Sequence, residues 1–303
     1  MFKGIIPPVV IFFDQQGEID FDLNKKHMDY LIDSGVDGVL LLGSSSEFSS
    51  LTLSEKKQYL GNLIPHINNR IPVLVGVGNT VLKESIDLAK YAESIGAQGI
   101  MAVNPYYWKL SNEQMIEYFS EIANAVSIDT YLYNIPQLTK QEIPLEVITA
   151  LVESHRNIRG IKETVADFGR IRKVVNVIQE RYSGFAVFTA FDEHLVNGYM
   201  IGAAGSINGT ANFLPEVSVN LLKALQTSDF NTVQKLHRQL SSLMEIYDIN
   251  TSLFSTFKEG VYYRWFNEQS TGVRKPFSIY EKETRKKVGK IIDSIIEQGV
   301  FNE

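Results

Sequence analysis

Cysteine is missing from this 303-residue chain, which excludes disulfides and cysteine–metal centres and fits a reducing compartment. Positive charge is not in excess. With 29 Lys and Arg against 35 Asp and Glu, the net charge of −6 is opposite in sign to the basic surface of a nucleic-acid binder. No apolar run approaches the length of a membrane span. The opening stretch, Met1 to Phe13, holds one lysine, is interrupted by Pro7-Pro8 and leads to no small-residue cleavage site, so no signal peptide is expected. The five histidines are scattered with no pair at metal-ligand spacing. Gly-rich phosphate loops, nucleophile elbows and His-Glu metal motifs are absent. Together these gaps predict a cytoplasmic protein with no nucleic-acid partner, no membrane contact, no metal and no cofactor.

What is present is a repeating punctuation. Gly35-Val36-Asp37-Gly38 is echoed by Gly96-Ala97-Gln98-Gly99 and Gly202-Ala203-Ala204-Gly205. A helical pattern precedes each and a short apolar strand follows. The first glycine suits a helix C-cap and the second a close helix–strand approach. Strands are predicted at Gly4–Phe13, from Gly38 through Leu42, and at Val73–Val77, Gly99–Val103, Thr130–Tyr133, Ile158–Lys162, Phe185–Thr189 and Gly205–Ile207. Helical periodicity covers about Asp22–Ser34, Ser54–His66, Leu82–Ile95, Asn112–Ala125, Leu145–Glu153, Phe168–Arg181 and His194–Ile201. Eight strands apolar on both faces, alternating with helices, predict an α/β fold, a closed (β/α)8 TIM barrel. An open doubly wound sheet is the runner-up, but Gly76-Val77-Gly78-Asn79-Thr80-Val81 lacks the third glycine of a dinucleotide fingerprint. Past Leu214 the chain stays helical, through Val217–Leu225, Asn231–Tyr247, Leu253–Phe266 and a last helix after Pro276 with Val288, Ile291, Ile292, Ile295 and Ile296 on one stripe. No linker separates these regions. The expectation is a barrel over 1–225 and a helical extension over 226–303, packed as one structural unit.

Active sites of such barrels lie at the C-terminal ends of the strands. Those ends can be named here: Gly43 to Phe48, Asn104 to Trp108, Tyr133 to Pro136, Lys162 to Thr164, Ala190 to Glu193 and Ser206 to Thr210. Polar and ionisable groups collect there, while the strand bodies are apolar. Each part has an ordinary alternative: a serine loop can be a cap, strand-end tyrosines are usually packing, and Asp192-Glu193 can simply start a helix. A lysine ending a strand is, alone, more often a surface residue. In a partly apolar pocket, however, desolvation favours the neutral amine, and Lys162 then becomes a nucleophile toward a carbonyl. With metal, thiol and nucleotide chemistry unsupported by any motif, a lysine imine assisted by a tyrosine is the remaining reading.

Gly-Ser-Ser-Ser-Glu at 43–47, Asn-Pro-Tyr-Tyr at 104–107, Tyr-Asn-Ile-Pro at 133–136 and Gly-Ile-Lys-Glu-Thr at 160–164 follow one order and spacing. With the glycine-rich turn after strand eight, they resemble the dihydrodipicolinate synthase / N-acetylneuraminate lyase family of lysine-dependent pyruvate aldolases, over almost the whole chain. The resemblance implies a (β/α)8 barrel, a homotetramer and no cofactor beyond the covalent imine. It implies Lys162 as the Schiff-base lysine and Tyr133 as the proton shuttle. Ser44 and Ser45 would hold the pyruvate carboxylate, and Tyr107 would complete a relay from a neighbouring subunit. Thr164, Asp192, Asn208 and Ile207 would meet the rest of the substrate.

Leu138 stands where true dihydrodipicolinate synthases have a carboxylate-binding arginine, and Gly209 where neuraminate lyases have a sugar-binding serine. Ser46 replaces a common glycine, costly if φ there is positive. The stretches Gly4 to Pro8, Asn104 to Lys109 and Asn212 to Lys223 are most similar to the bacterial 2-keto-3-deoxygluconate aldolase branch. Reversible cleavage of a 2-keto-3-deoxy sugar acid to pyruvate and a small hydroxyaldehyde is therefore expected. The alternatives are dihydrodipicolinate synthase or neuraminate lyase activity, and a pyruvate-binding regulator without turnover.

Overall fold

In the computed structural model, which describes residues 1–249, 252–266, 272–277 and 282–299, β-strands and α-helices alternate around a ring. Strands are β1 (Gly4–Ile5), β2 (Val39–Leu41), β3 (Val73–Gly76), β4 (Gly99–Val103), β5 (Asp129–Asn134), β6 (Ile158–Glu163), β7 (Ala186–Thr189) and β8 (Gly205–Ser206). Helices α1 (Phe21–Asp33), α2 (Leu53–Ile67), α3 (Leu82–Ser94) and α4 (Asn112–Asn124) follow the first four strands in turn. Two helices, α5 (Pro136–Thr139) and α6 (Leu145–Ser154), follow β5; α7 (Phe168–Val174), α8 (Leu195–Met200) and α9 (Pro215–Gln226) follow β6, β7 and β8. All pairings are parallel in the order β1-β8-β7-β6-β5-β4-β3-β2, and a Pro8–Leu40 bridge closes the ring. This is the expected (β/α)8 barrel.

The two faces of each strand explain why the strands are apolar throughout. Leu40, Leu74, Met101, Tyr131, Tyr133 and Phe188 point into the barrel, whereas Leu41, Val75, Ile100, Leu132 and Val187 pack under the helices. On β6 the same alternation sends Lys162 inward and Glu163 outward. A Cβ on Gly160 would come within 2.3 Å of the Ala186 carbonyl and 2.8 Å of the Tyr131 ring, so glycine makes room for that ring below Lys162.

Several expected boundaries change. The first strand is far shorter than Gly4–Phe13, because Pro7-Pro8 lack the N–H groups that a ladder needs. Beyond them the buried chain is held by side chains instead: Val10 N donates to Asn212 Oδ1 and Phe12 N to Asn24 Oδ1. The helix expected over Phe168–Arg181 turns π-helical at Val175–Gln179, and that expected over Leu253–Phe266 does so at Tyr262–Phe266. Gly35, Gly96 and Gly202 do adopt positive φ (78°, 94° and 89°) at helix ends. The second glycines serve a different contact from the one expected: a Cβ at Gly38, Gly99 or Gly205 would meet the backbone oxygen of Pro72, Asp129 or Gly4, so they admit neighbouring strands rather than helices.

After α9 come α10 (Phe230–Leu243), α11 (Leu253–Val261) and α12 (Lys282–Glu297). Val288, Ile292 and Ile295 are fully buried, in one apolar cluster with Leu240, Val261, Phe12 and Ile5. Residues 250–251, 267–271, 278–281 and 300–303 of the expected extension lie outside the described residues. Among the described residues no helix is long and apolar enough to cross a membrane.

Candidate active site

A cavity of about 390 Å³ opens at the C-terminal ends of the strands. Lys162 lies at its base, 4% exposed, in register with Tyr133 on β5 and Phe188 on β7. Its Nζ sits 4.4 Å from the centroid of the Tyr133 ring. The Tyr133 hydroxyl is 3.4 Å from Ser44 Oγ, across the barrel mouth. Ser44–Ser46 form a single 3-10 turn whose first N–H groups have no intraturn carbonyl to bond, and Ser44 and Ser45 both line the cavity. That combination of N–H and hydroxyl donors fits a small carboxylate.

Behind the lysine, the outward side of the strand ends is held rigidly. Glu163 accepts from Asn134 Nδ2 at 2.6 Å and from Arg170 Nη2 at 3.1 Å. Arg170 Nη2 also donates to the Ile143 carbonyl at 2.7 Å, and Asn134 Oδ1 accepts from Ile143 N at 3.1 Å. Burial pushes the Glu163 carboxyl up, and Arg170 and Asn134 pull it back. The consequence is positional: the ends of β5 and β6, which carry Tyr133 and Lys162, cannot move apart without breaking a buried network.

The dihydrodipicolinate synthetase family pattern matches residues 1–295. Two proteins of Escherichia coli K12 are similar along most of their length, and their names carry sugar-acid aldolase activities as provisional assignments. YagE (2-dehydro-3-deoxy-D-gluconate aldolase) is 38% identical over 86% of each chain. YjhH (2-dehydro-3-deoxy-D-pentonate aldolase) is 37% identical over 85% of each. The crystal structure of YagE in complex with pyruvate superposes with a TM-score of 0.94, covering 98% of this chain and 99% of YagE. The chain belongs to the dihydrodipicolinate synthetase family. It is accordingly a lysine-dependent carbon–carbon lyase of the class I aldolase type, which sets aside the reading as a regulator without turnover.

Within this family frame, Lys162, Tyr133, Ser44, Ser45, Thr164 and Ile207 all meet at the cavity. The Thr164 hydroxyl is buried with no hydrogen-bond partner among the described residues. Two expected substrate contacts need correction. Asp192 and Asn208 are both fully buried and do not line the cavity. Asn208 Nδ2 donates to Asp192 Oδ1 at 2.7 Å, the Thr210 hydroxyl donates to the same oxygen, and Tyr247 donates to Asp192 Oδ2. Strand-end position was right for both residues, but their side chains turn away from the mouth to bond one another.

Tyr107 also lies outside this chain's cavity: it is 86% exposed, with a φ of 91°, and its ring meets Trp108 edge-on at 5.2 Å. Its neighbour Tyr106 lines the cavity instead. Ser46 has no positive φ; its hydroxyl donates to the Val9 carbonyl at 2.5 Å, and the left-handed residue is Glu47, at φ 53°.

Sequence reasoning missed the contribution of the C-terminal region. Tyr247, Leu253, Phe254, Phe257 and Phe277 form one wall of the cavity. Nearby, Lys258 of α11 pairs with Glu47 in an almost fully buried ion pair, and Arg274 N donates to the other Glu47 oxygen at 3.0 Å. Burial lowers the Lys258 ammonium to about 8, against the opposing pull of Glu47. A polar residue on the buried face of a helical pattern, here Lys258, was the available signal.

Proposed function

We propose that this chain cleaves 2-keto-3-deoxy sugar acids reversibly to pyruvate and a small neutral hydroxyaldehyde, with 2-keto-3-deoxygluconate as lead substrate and the pentonate homologue close behind. One observation carries the choice of substrate class: among the described residues lining the cavity, Lys162 is the only cation. That lysine is consumed as the imine, so no cation remains for a charged group on the aldehyde. Leu138, at the cavity edge, offers no carboxylate clamp, which weakens the dihydrodipicolinate synthase reading. A serine at Gly209 would find its Cβ within 2.3 Å of the Phe257 ring and 3.0 Å of the Tyr247 hydroxyl, which weakens the neuraminate lyase reading.

In the proposed reaction, the neutral Lys162 amine adds to the C2 carbonyl and loses water to form the imine. Protonated, it withdraws electrons from C3. Tyr133 takes the C4 hydroxyl proton, the C3–C4 bond breaks, the aldehyde leaves, and the electron pair remains as an enamine. Protonation at C3 and hydrolysis return pyruvate and free Lys162. Ser44 and Ser45 hold the carboxylate throughout, and Thr164 supplies its free hydroxyl. Tyr107 of a partner subunit in a homotetramer would extend the proton path beyond Ser44; the exposure of Tyr107 and Trp108 supports an interface there.

Pyruvate release from the two deoxy sugar acids, set beside condensation of pyruvate with aspartate semialdehyde, tests the assignment. We expect kcat/KM to favour a sugar acid by at least about tenfold. Faster turnover with the semialdehyde would assign the chain to the synthase branch instead.

A further inference from the structure

The reaction described above leaves several polar side chains of the cavity wall unused, Tyr247 among them. Going round the barrel from Lys162 on β6, Tyr133 stands on the β5 side, and the β2 loop with Ser44 lies opposite. The other arc, from β7 through β8, presents Ala190, Phe191, Ile207 and Gly209, none with a polar side chain. Over that arc, from a 3-10 segment at Met244–Asp248, comes Tyr247.

The setting of Tyr247 defines what it can recognise. Its hydroxyl donates its single proton to Asp192 Oδ2 and takes a hydrogen bond from the Gly209 backbone. Asp192 is itself fixed: Oδ1 receives Asn208 Nδ2 at 2.7 Å and the Thr210 hydroxyl, and Asn208 Nδ2 also reaches Ser218 Oγ at 2.8 Å. The Tyr247 ring packs edge-on against Phe257 at 5.5 Å. With its proton committed to a buried carboxylate, the phenol offers the cavity a lone pair. A lone pair accepts from a hydroxyl and repels a carboxylate. Burial and the adjacent Asp192 also raise the Tyr247 phenol well above its usual value, which makes it a poor proton shuttle and a dependable acceptor.

We infer that Tyr247 is a specificity-determining residue, its oxygen accepting a hydrogen bond from a hydroxyl on the aldehyde half of the substrate, with Asp192 as the positioning residue behind it. The inference rests on the aldolase reading, and its test separates the two. Tyr247→Phe keeps the ring against Phe257 and removes only the oxygen. Pyruvate condensation is measured with glyceraldehyde and with propionaldehyde, which lacks both hydroxyls, in the parent protein and the variant. Borohydride trapping of pyruvate on Lys162 is run alongside.

We expect kcat/KM for glyceraldehyde to fall about tenfold, that for propionaldehyde to change less than about twofold, and trapping to be unaltered. An equal loss with both aldehydes, or no loss with either, overturns the inference while trapping upholds the aldolase. Absence of trapping in the parent protein overturns both. Should the variant not fold, the parent protein decides the matter alone. Cleavage of 2-keto-3-deoxygluconate should exceed that of 4-hydroxy-2-oxohexanoate at least about tenfold in kcat/KM, and parity overturns the inference.

Discussion

His27, completely buried on α1, donates from Nε2 to the Asn212 carbonyl at 2.8 Å and ties the first helix to the turn after β8. Burial lowers its pKa from the usual 6.5 to about 4, the Asn212 hydrogen bond opposing. Because the folded value lies below the unfolded one, this contribution to stability is complete above pH 6.5 and is lost as the pH falls from 6.5 toward 4. A shift of that size corresponds to about 3 kcal/mol in all. Urea unfolding across that range should show a steeper fall for the parent protein than for His27→Gln; identical slopes would remove His27 from the account. A scattered histidine is structural here, in keeping with the lack of any histidine pair at metal-ligand spacing in the sequence. Lys162 alone reads as a surface residue; the polar strand ends around it and the Gly-Ile-Lys-Glu-Thr motif made it legible as a pocket residue. Asp192 and Asn208 were legible in place but not in direction, because a strand-end rule locates a Cα and leaves the side chain's aim to its neighbours.

Between elements, the connection that matters most to the site is α11 to the loop after β2. Lys258 and Glu47 are 211 residues apart, and their contact also reaches Arg274 N. Lys258→Met strands the Glu47 carboxylate in the interior and should cost about 3–5 kcal/mol of unfolding free energy. The Glu47→Leu/Lys258→Met double variant, which removes both charges, should recover most of it. A cost below about 1 kcal/mol for the single change would mean that the pair contributes little. Local pattern could not reveal this link, nor Tyr247 in the cavity wall, because helical periodicity marks a buried face without naming what covers it. The β/α rhythm was legible because glycines at positive φ end the helices that precede β2, β4 and β8. Strand β1 was overcalled because its apolar run outweighed the missing N–H groups of Pro7-Pro8.

For the whole molecule, the exposed Tyr107–Trp108 pair is the feature a lone barrel does not explain. The positive φ of Tyr107 stores strain of about 1–3 kcal/mol that an interface contact would offset. We expect sedimentation equilibrium to report a mass of four chains, and Tyr107→Ala to lower kcat with less effect on pyruvate trapping. A fully active single chain would contradict the proposed tetramer and the shared proton path with it.

The central claim is that Lys162 forms an imine with pyruvate. Borohydride reduction in the presence of pyruvate, followed by peptide mass mapping, tests it directly. The account predicts one reduced adduct, on the peptide that contains Lys162, and none in Lys162→Ala, which should be folded and inactive. A folded protein with no adduct, or with an adduct that survives in Lys162→Ala, would contradict it.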